Sequence, residues 1–389
     1  MIRFLTKLFI PRAQETSDPE VRRAYGVLCG SVGIFLNIVL FTGKFLAGTI
    51  SRSIAITADA FNNLSDAGSS LITLVGFKMA GQKPDPEHPF GHGRIEYLSG
   101  FVVSMAILMM AAELIKSSVG KIVHPEETSV TPLIFVILLC SIAVKLYMCY
   151  YNRSVSKRID SAAMAATAID SLSDSLATTV VLLSSLFTKL TGILIDGYCG
   201  VAVGLFILYA GLSAAKETIS PLLGQPPEPE FVEKIRKLVM EHDEVLGIHD
   251  LIVHNYGPGR IMISLHAEVP ASGDILALHD TIDCIEQQLQ KELKCQAVIH
   301  MDPILTDDQE TSEYKSLVLK IVKGIDSVLT IHDFRIVKGT THTNLIFDLV
   351  TPFDYSIGDK ELCSQIYQEV QREQPNLYTV IQVDKDYNL

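Results

Sequence analysis

The sequence lacks the signatures of several chemistries. None of its seven cysteines forms a CxxC pair, so neither a disulfide framework nor a thiolate zinc site is expected, and buried free thiols are the reading. It has no P-loop, nucleophile elbow or zinc-protease helix, which disfavours an ATP-driven pump and a membrane hydrolase. Basic charge is short: 32 Lys and Arg against 44 Asp and Glu give a net charge of −12. That balance argues against a nucleic-acid partner and suits cations. A cleavable leader is not expected either. "MIRFLTKLFIPRAQETSDPEVRRAY" has basic residues but a short apolar part interrupted by Pro11, and no small-residue cleavage site. A short interfacial helix at Ile2–Ile10 fits it better.

What the chain does have is apolar length. Mean hydropathy is +0.30, and the apolar residues gather before Ala215. A membrane span needs about 20 mostly apolar residues. Six stretches qualify: Tyr25–Ile50, Ile54–Ala80, Tyr97–Val119, Val130–Tyr151, Ala162–Thr188 and Ile195–Ala215. Lys and Arg set orientation. Arg3, Lys7, Arg12, Arg22 and Arg23 precede the first span; Lys83 and Arg94 follow the second; Arg153, Lys157 and Arg158 follow the fourth. Arg52, Lys121 and Lys189 flank the other side. Both termini are therefore expected in the cytoplasm, in a multi-pass protein in contact with lipid.

Polar groups interrupt these spans. Asn62 and Asp66 lie four apart in the second, and Asp170 and Asp174 four apart in the fifth. An i, i+4 pair shares one helix face. Two helices that each offer two oxygens can build one four-ligand cation site, and three carboxylates at matched spacing repel unless a cation or protons neutralise them. Asn63, Ser65, Ser69, Ser171, Ser173 and Ser175 read more simply as interhelical hydrogen-bonding groups. Asp59, Lys44, Glu113 and Lys145 are weaker candidates that reach water, snorkel or pair. An all-oxygen set suits Mn²⁺, Mg²⁺ or Ca²⁺ better than Zn²⁺, which gains from imidazole or thiolate. In the loop "KPDPEHPFGHGR", Asp85, His88 and His92 make a second candidate metal site, against the plainer reading of a tight turn at Gly91 and Gly93.

"GQPPEPE" (Gly224–Glu230) reads as a linker. Two similar units follow it. The first has a helix at Glu230–His242, strands at Ile248–Asn255 and Arg260–Val269, a helix at Ile275–Leu293 and a strand at Gln296–Asp302. The second repeats the order at Glu313–Gly324, Ile331–Lys338, Thr343–Val350, Lys360–Glu373 and Tyr378–Asp384. "VLGIHDLIVHNYG" echoes "VLTIHDFRIVKGT", "ISLHAEVP" echoes "LIFDLVTP", and "AVIHMDP" echoes "TVIQVDKD". The expected fold is a six-helix membrane domain plus a duplicated cytoplasmic α+β ferredoxin-like domain of αββαβ order. The divisions are 1–22 (cytoplasmic segment), 23–215 (membrane domain), 216–305 (first repeat) and 306–389 (second, degenerate repeat).

"ADAFNNLSDAGSS", "DPEHPFGHGRIEYL" and "AIDSLSDS" resemble the second span, the following loop and the fifth span of the cation diffusion facilitator family. The resemblance covers about residues 20–305. It implies a homodimeric, proton-coupled exporter of divalent metals in the plasma membrane, with the metal as substrate and no prosthetic group. It implies a transport site of Asn62, Asp66, Asp170 and Asp174. Zinc members typically carry His where this chain has Asp170, so the set resembles the manganese branch. It also implies a cytoplasmic, regulatory metal site at His249, His266, His279, His300 and Asp302. In some relatives a basic residue near Arg94 pairs with an acid after the sixth span; here Gly224 stands in that stretch. The second repeat has Asp348 for His266 and Gln382 for His300, and keeps His332 and Asp384. It is expected to bind metal weakly or not at all. The alternatives are a Zn²⁺, Fe²⁺ or Co²⁺ exporter, and a membrane metal sensor or scaffold that does not transport.

Overall fold

The computed structural model describes residues 2–16, 18–51, 54–124, 132–304, 308–339 and 341–386. Arg52, the start of the fourth expected span at Val130, the boundary at 305/306 and the side chain of Asp59 lie outside what is described. The chain forms two compact units, Met1–Gln225 with Asn255–Ile261, and Pro226–His254 with Met262–Leu389.

The first unit is helical. A short α1 (Ile2–Phe9) sits where the interfacial helix is expected. Six long helices follow: α2 (Pro19–Ser51), α3 (Ile54–Ala80), α4 (Ile95–Val123), α5 (Pro132–Ile159), α6 (Ala162–Thr191) and α7 (Asp196–Leu223). Among the described residues, all but α3 contain a stretch long and apolar enough to cross a membrane; α3 is the helix that carries Asn62, Asn63 and Asp66. α7 runs to Leu223, past the expected boundary at 215. Phe35 and Val39 on α2 and Phe206 and Tyr209 on α7 are exposed, as lipid-facing residues are.

Local chemistry sets the helix ends. Ser161 caps α6 by accepting from the Met164 N–H, and Gly192 closes it in the left-handed region at φ 72°. α2 and α3 approach closely through glycine. A Cβ on Gly30 would lie 3.1 Å from Leu74 Cα, and one on Gly33 would lie 2.8 Å from Ser70 Oγ. Small residues allow such contact where no hydrophobic force drives helices together.

The second unit holds the two repeats. The first comprises α8 (Pro229–Met240), β1 (Gly247–Asn255), β2 (Ile261–Pro270), α9 (Ile275–Leu293) and β3 (Cys295–Ile304). The second comprises α10 (Gln309–Ile325), β4 (Thr330–Lys338), β5 (Thr343–Pro352), α11 (Asp359–Glu373) and β6 (Leu377–Asp386). The three-stranded sheets run β1-β2-β3 and β4-β5-β6. β4 pairs β5 antiparallel, and β5 pairs β6 parallel. The alternation works as expected: Ile263, Leu265, Ala267 and Val269 are buried on one face of β2, as are Leu345, Phe347 and Leu349 on β5. The helices cover those faces through Ile282, Ile285, Ile366 and Val370, leaving the opposite faces to carry the polar residues.

Candidate metal centres

In the membrane domain the ion-paired group is Asp66, Asp174 and Lys145, drawn from α3, α6 and α5. Lys145 Nζ donates to Asp66 Oδ2 and to Asp174 Oδ2, each at 2.7 Å. The Lys145 side chain is only 4% exposed. Asp170, one turn before Asp174 and 6% exposed, lies within electrostatic reach of all three. Asn62, one turn before Asp66, is exposed and Asn63 beside it is buried. Lys145, which the sequence offered only as a residue that snorkels or pairs, thus holds two of the expected ligands. A further buried group, centred on Glu96, ties α2, α4 and the start of α6. Arg22 on α2 donates to both Glu96 oxygens at 2.8 and 3.2 Å, and Ser161 Oγ donates to Glu96 Oε1 at 2.6 Å.

The loop after α3 brings its three expected ligands together. The donor atoms of Asp85, His88 and His92 lie within 4.8 Å of one another. Asp85 Oδ1 is 3.5 Å from His88 Nδ1, and Oδ2 is 3.4 Å from His92 Nε2. The His88 backbone N–H, donated at 2.7 Å, is the main cause that holds the Asp85 carboxyl below its usual range. Gly91, at φ 84°, makes the turn that folds the loop back. Arg94 donates to the Asn255 carbonyl at 2.9 Å and lies over the Tyr256 ring, so its partner here is a backbone oxygen and an aromatic face.

In the second unit, His249, His266 and Asp302 place donors within 4.8 Å of one another. His266 Nδ1 and Asp302 Oδ2 are 2.8 Å apart, and His249 Nε2 is 3.2 Å from the same oxygen. His300 sits at the rim, largely exposed, 3.3 Å from Asp302 Oδ1. His279 is exposed on α9 and outside this group. The second repeat gathers His332, Asp348 and Asp384 in the same way. Burial first, then Asp384, pushes the Asp348 carboxyl up, against the pull of His332.

The "IHD" of each repeat makes this possible. Asp250 and Asp333 both sit at φ 51°, and the β4–β5 register shifts between His332 and Arg335. Successive strand residues normally face opposite ways. A bulge with one residue in the left-handed region re-aims its side chain, and Asp tolerates that conformation better than most. His249 and Asp250 therefore come within 3.4 Å of each other. The repeated tripeptide was the visible signal; the bulge was not.

The transport-type pattern in the helices has counterparts elsewhere. Residues 31–223 match the cation efflux transmembrane domain, and residues 227–304 match the cation efflux protein cytoplasmic domain. An uncharacterized transporter of Methanocaldococcus jannaschii is 33% identical over 68% of this chain and 94% of its own length. The cation-efflux pump FieF of Pectobacterium atrosepticum is 26% identical over 69% of this chain and 89% of its own length. The magnetosome protein MamB of a Magnetospira strain is 24% identical over 69% and 91%. The matched residues include the helices that bear Asp66, Asp170 and Asp174 and the strands that bear His249, His266 and Asp302. A multi-pass helical domain with ion-paired carboxylates inside it, followed in the chain by an α+β domain that matches the family's cytoplasmic domain, is thus that of a transporter of divalent metal cations, not an enzyme, and the chain belongs to the cation efflux, or cation diffusion facilitator, family.

Proposed function

We propose that the chain is a proton-coupled antiporter that exports divalent cations from the cytoplasm, Mn²⁺ ahead of Zn²⁺, Fe²⁺ or Co²⁺. Asn62, Asp66, Asp170 and Asp174 are its transport ligands. The observation that carries this reading is the buried meeting of Asp66 and Asp174 at Lys145 Nζ, with Asp170 one turn away. Three carboxylates face the Lys145 ammonium, with the buried Lys44 within electrostatic reach of Asp66, which leaves a net charge of −1, counted as −3 + 2. Such a deficit is costly away from water, and either a divalent ion or protons can fill it. Alternation between the two is the physical basis of exchange. Entry of the metal requires the carboxylates to turn from the ammonium to the ion. The oxygen donors favour a hard cation, since no imidazole or thiolate stands among the four ligands.

The protein sits in the plasma membrane with both termini in the cytoplasm and works as a homodimer. The Lys and Arg bias supports the orientation, and the match to the family's cytoplasmic domain supports the dimer. His249, His266 and Asp302, with His300 at the rim, form a regulatory metal site whose imidazoles suit Zn²⁺ as well as Mn²⁺. Asp85, His88 and His92 bind a further cation where it enters.

Metal influx into proteoliposomes under a pH gradient tests this, with Mn²⁺ beside Zn²⁺ and Asp174→Ala as control. Mn²⁺ flux should exceed Zn²⁺ flux and fall to background in the variant. Dominant Zn²⁺ flux would sink the argument from ligand hardness. No flux of either ion from folded protein would favour the sensor or scaffold.

A further inference from the structure

We infer that the second repeat carries its own divalent-cation site, built from His332, Asp348 and Asp384 and completed by Asp250 of the first repeat. The matched cytoplasmic domain ends at residue 304, so this site lies wholly beyond that match except for the one donor it borrows.

The geometry is a near-copy of the first site with one carboxylate exchanged between repeats. In the first repeat, His249 Nε2 lies 3.2 Å from Asp302 of its own repeat and 3.6 Å from Asp333 of the other. In the second, His332 Nε2 lies 3.6 Å from Asp384 of its own repeat and 3.7 Å from Asp250 of the other. His332 and Asp348 are register partners on β4 and β5. Asp348 faces Gln382 on β6, two residues before Asp384, so the three donors come from three adjacent strands on one sheet face. Four ligands at about 2.1 Å from one ion stand about 3.4 Å apart at the corners of a tetrahedron. The contacts of His332 are within a few tenths of an ångström of that spacing.

A second observation points to a ligand. The His332 side chain is only 8% exposed; its Nε2, the nitrogen that faces Asp384 and Asp250, lies beyond hydrogen-bond distance of both at 3.6 and 3.7 Å, and its Nδ1 is buried without a hydrogen-bond partner. His249, 7% exposed, has neither ring nitrogen in a hydrogen bond. The two rings stack at 4.2 Å, which locks both imidazoles among the carboxylates Asp250, Asp302, Asp333 and Asp384. Buried polar groups without hydrogen bonds are uncommon, and so many acids around two imidazoles repel one another unless cations lie between them. The "IHD" segments, each with its Asp at φ 51°, present both exchanged carboxylates, so the device is written twice in the sequence.

The donor set fixes the ion class. The site pairs one imidazole with three carboxylates, a harder set than the first site, where His249 and His266, with His300 at the rim, meet Asp302 and the borrowed Asp333. It suits Mn²⁺ or Mg²⁺, whereas the first suits Zn²⁺ better. The expectation that the second repeat binds little metal rested on the loss of His at positions 348 and 382; a carboxylate at 348 changes which ion is preferred and keeps a donor in place.

Equilibrium dialysis of the full-length chain in nanodiscs against Mn²⁺, with bound metal counted by elemental analysis, tests the site. An Asp174→Ala background removes the membrane site from the count. In that background, Asp348→Asn/Asp384→Asn should bind one Mn²⁺ fewer per chain. Asp250→Asn, from the other repeat, should weaken one Mn²⁺ at least tenfold. His249→Ala should leave the second-repeat ion bound. An unchanged Mn²⁺ count and affinity in Asp348→Asn/Asp384→Asn overturns the inference. So does loss of one and the same ion in that variant and in His249→Ala, which would mean a single shared site. Circular dichroism checks folding; if the double variant does not fold, unaltered Mn²⁺ binding in Asp250→Asn overturns the inference by itself.

Discussion

At the scale of single residues, Lys145 is the group on which the proposed transport site turns. Its ammonium bridges Asp66 and Asp174 at 2.7 Å, where a transported ion would also have to sit. Opposite charges about 4 Å apart attract by roughly 4 kcal/mol at the effective dielectric of a protein. The lysine is then both the stabiliser of the metal-free protein and the competitor of the metal. Lys145→Met should lower the thermal midpoint of the metal-free protein, because breaking a buried ion pair typically costs about 3–5 kcal/mol. The same variant should gain more from Mn²⁺ than the parent does, since a ligand stabilises in proportion to its saturation and the competitor is gone. Thermal unfolding in detergent, with and without Mn²⁺, reads both effects. Equal metal-induced shifts in the two proteins would show that Lys145 does not compete for the site.

At the scale of elements, two features hold helices of the bundle that presents the proposed ligands. Glu96, 2% exposed, accepts from Arg22 and from the α6 N-cap residue Ser161, so one carboxylate ties α2, α4 and the start of α6. Glu96→Ala should cost about 3–5 kcal/mol because Arg22 is left without its ion pair; Glu96→Gln should cost less, as it keeps an acceptor. A thermal midpoint unchanged by Glu96→Ala would reject that role. Gly30 lets α3 approach α2, and Gly30→Val would drive a branched side chain at the Leu74 backbone, 3.1 Å from where its Cβ must lie. Overpacking of this kind costs about 1–3 kcal/mol, and it should also weaken Mn²⁺ binding, because α3 is the element that positions Asp66. Dialysis beside thermal unfolding separates the two effects.

These elements also show what was legible. Helix spans, strand alternation and the repeat are local patterns of period and composition, and the structure follows them closely. Asp170 and Asp174 were marked by a spacing that any helix converts into one face. The pairing of Lys145 was not readable, because spacing along α5 does not say which helices pack against it. Asp250 and Asp333 escaped notice because strand periodicity turns them away from their neighbouring His, and only the bulge at φ 51° reverses that. His279, a position carried over from a resemblance, lies exposed on α9, apart from the group of His249, His266 and Asp302.

At the scale of the whole molecule, sidedness decides whether the chemistry makes an exporter. In the proposed topology an even number of spans puts both ends of the chain on one side of the membrane, and the excess of Lys and Arg before α2, after α3 and after α5 would make that side the cytoplasmic one. The second unit, with its His and Asp clusters, would then sample cytoplasmic metal, and the loop carrying Asp85, His88 and His92 would meet ions before they reach Asp66 and Asp174. Cys284, exposed on α9, reports this directly. A membrane-impermeant maleimide should modify Cys284 in inside-out vesicles and leave it untouched in intact cells, with the modified peptide identified by mass spectrometry. Modification in intact cells would invert the topology, and a protein so oriented would take up metal under the same pH gradient.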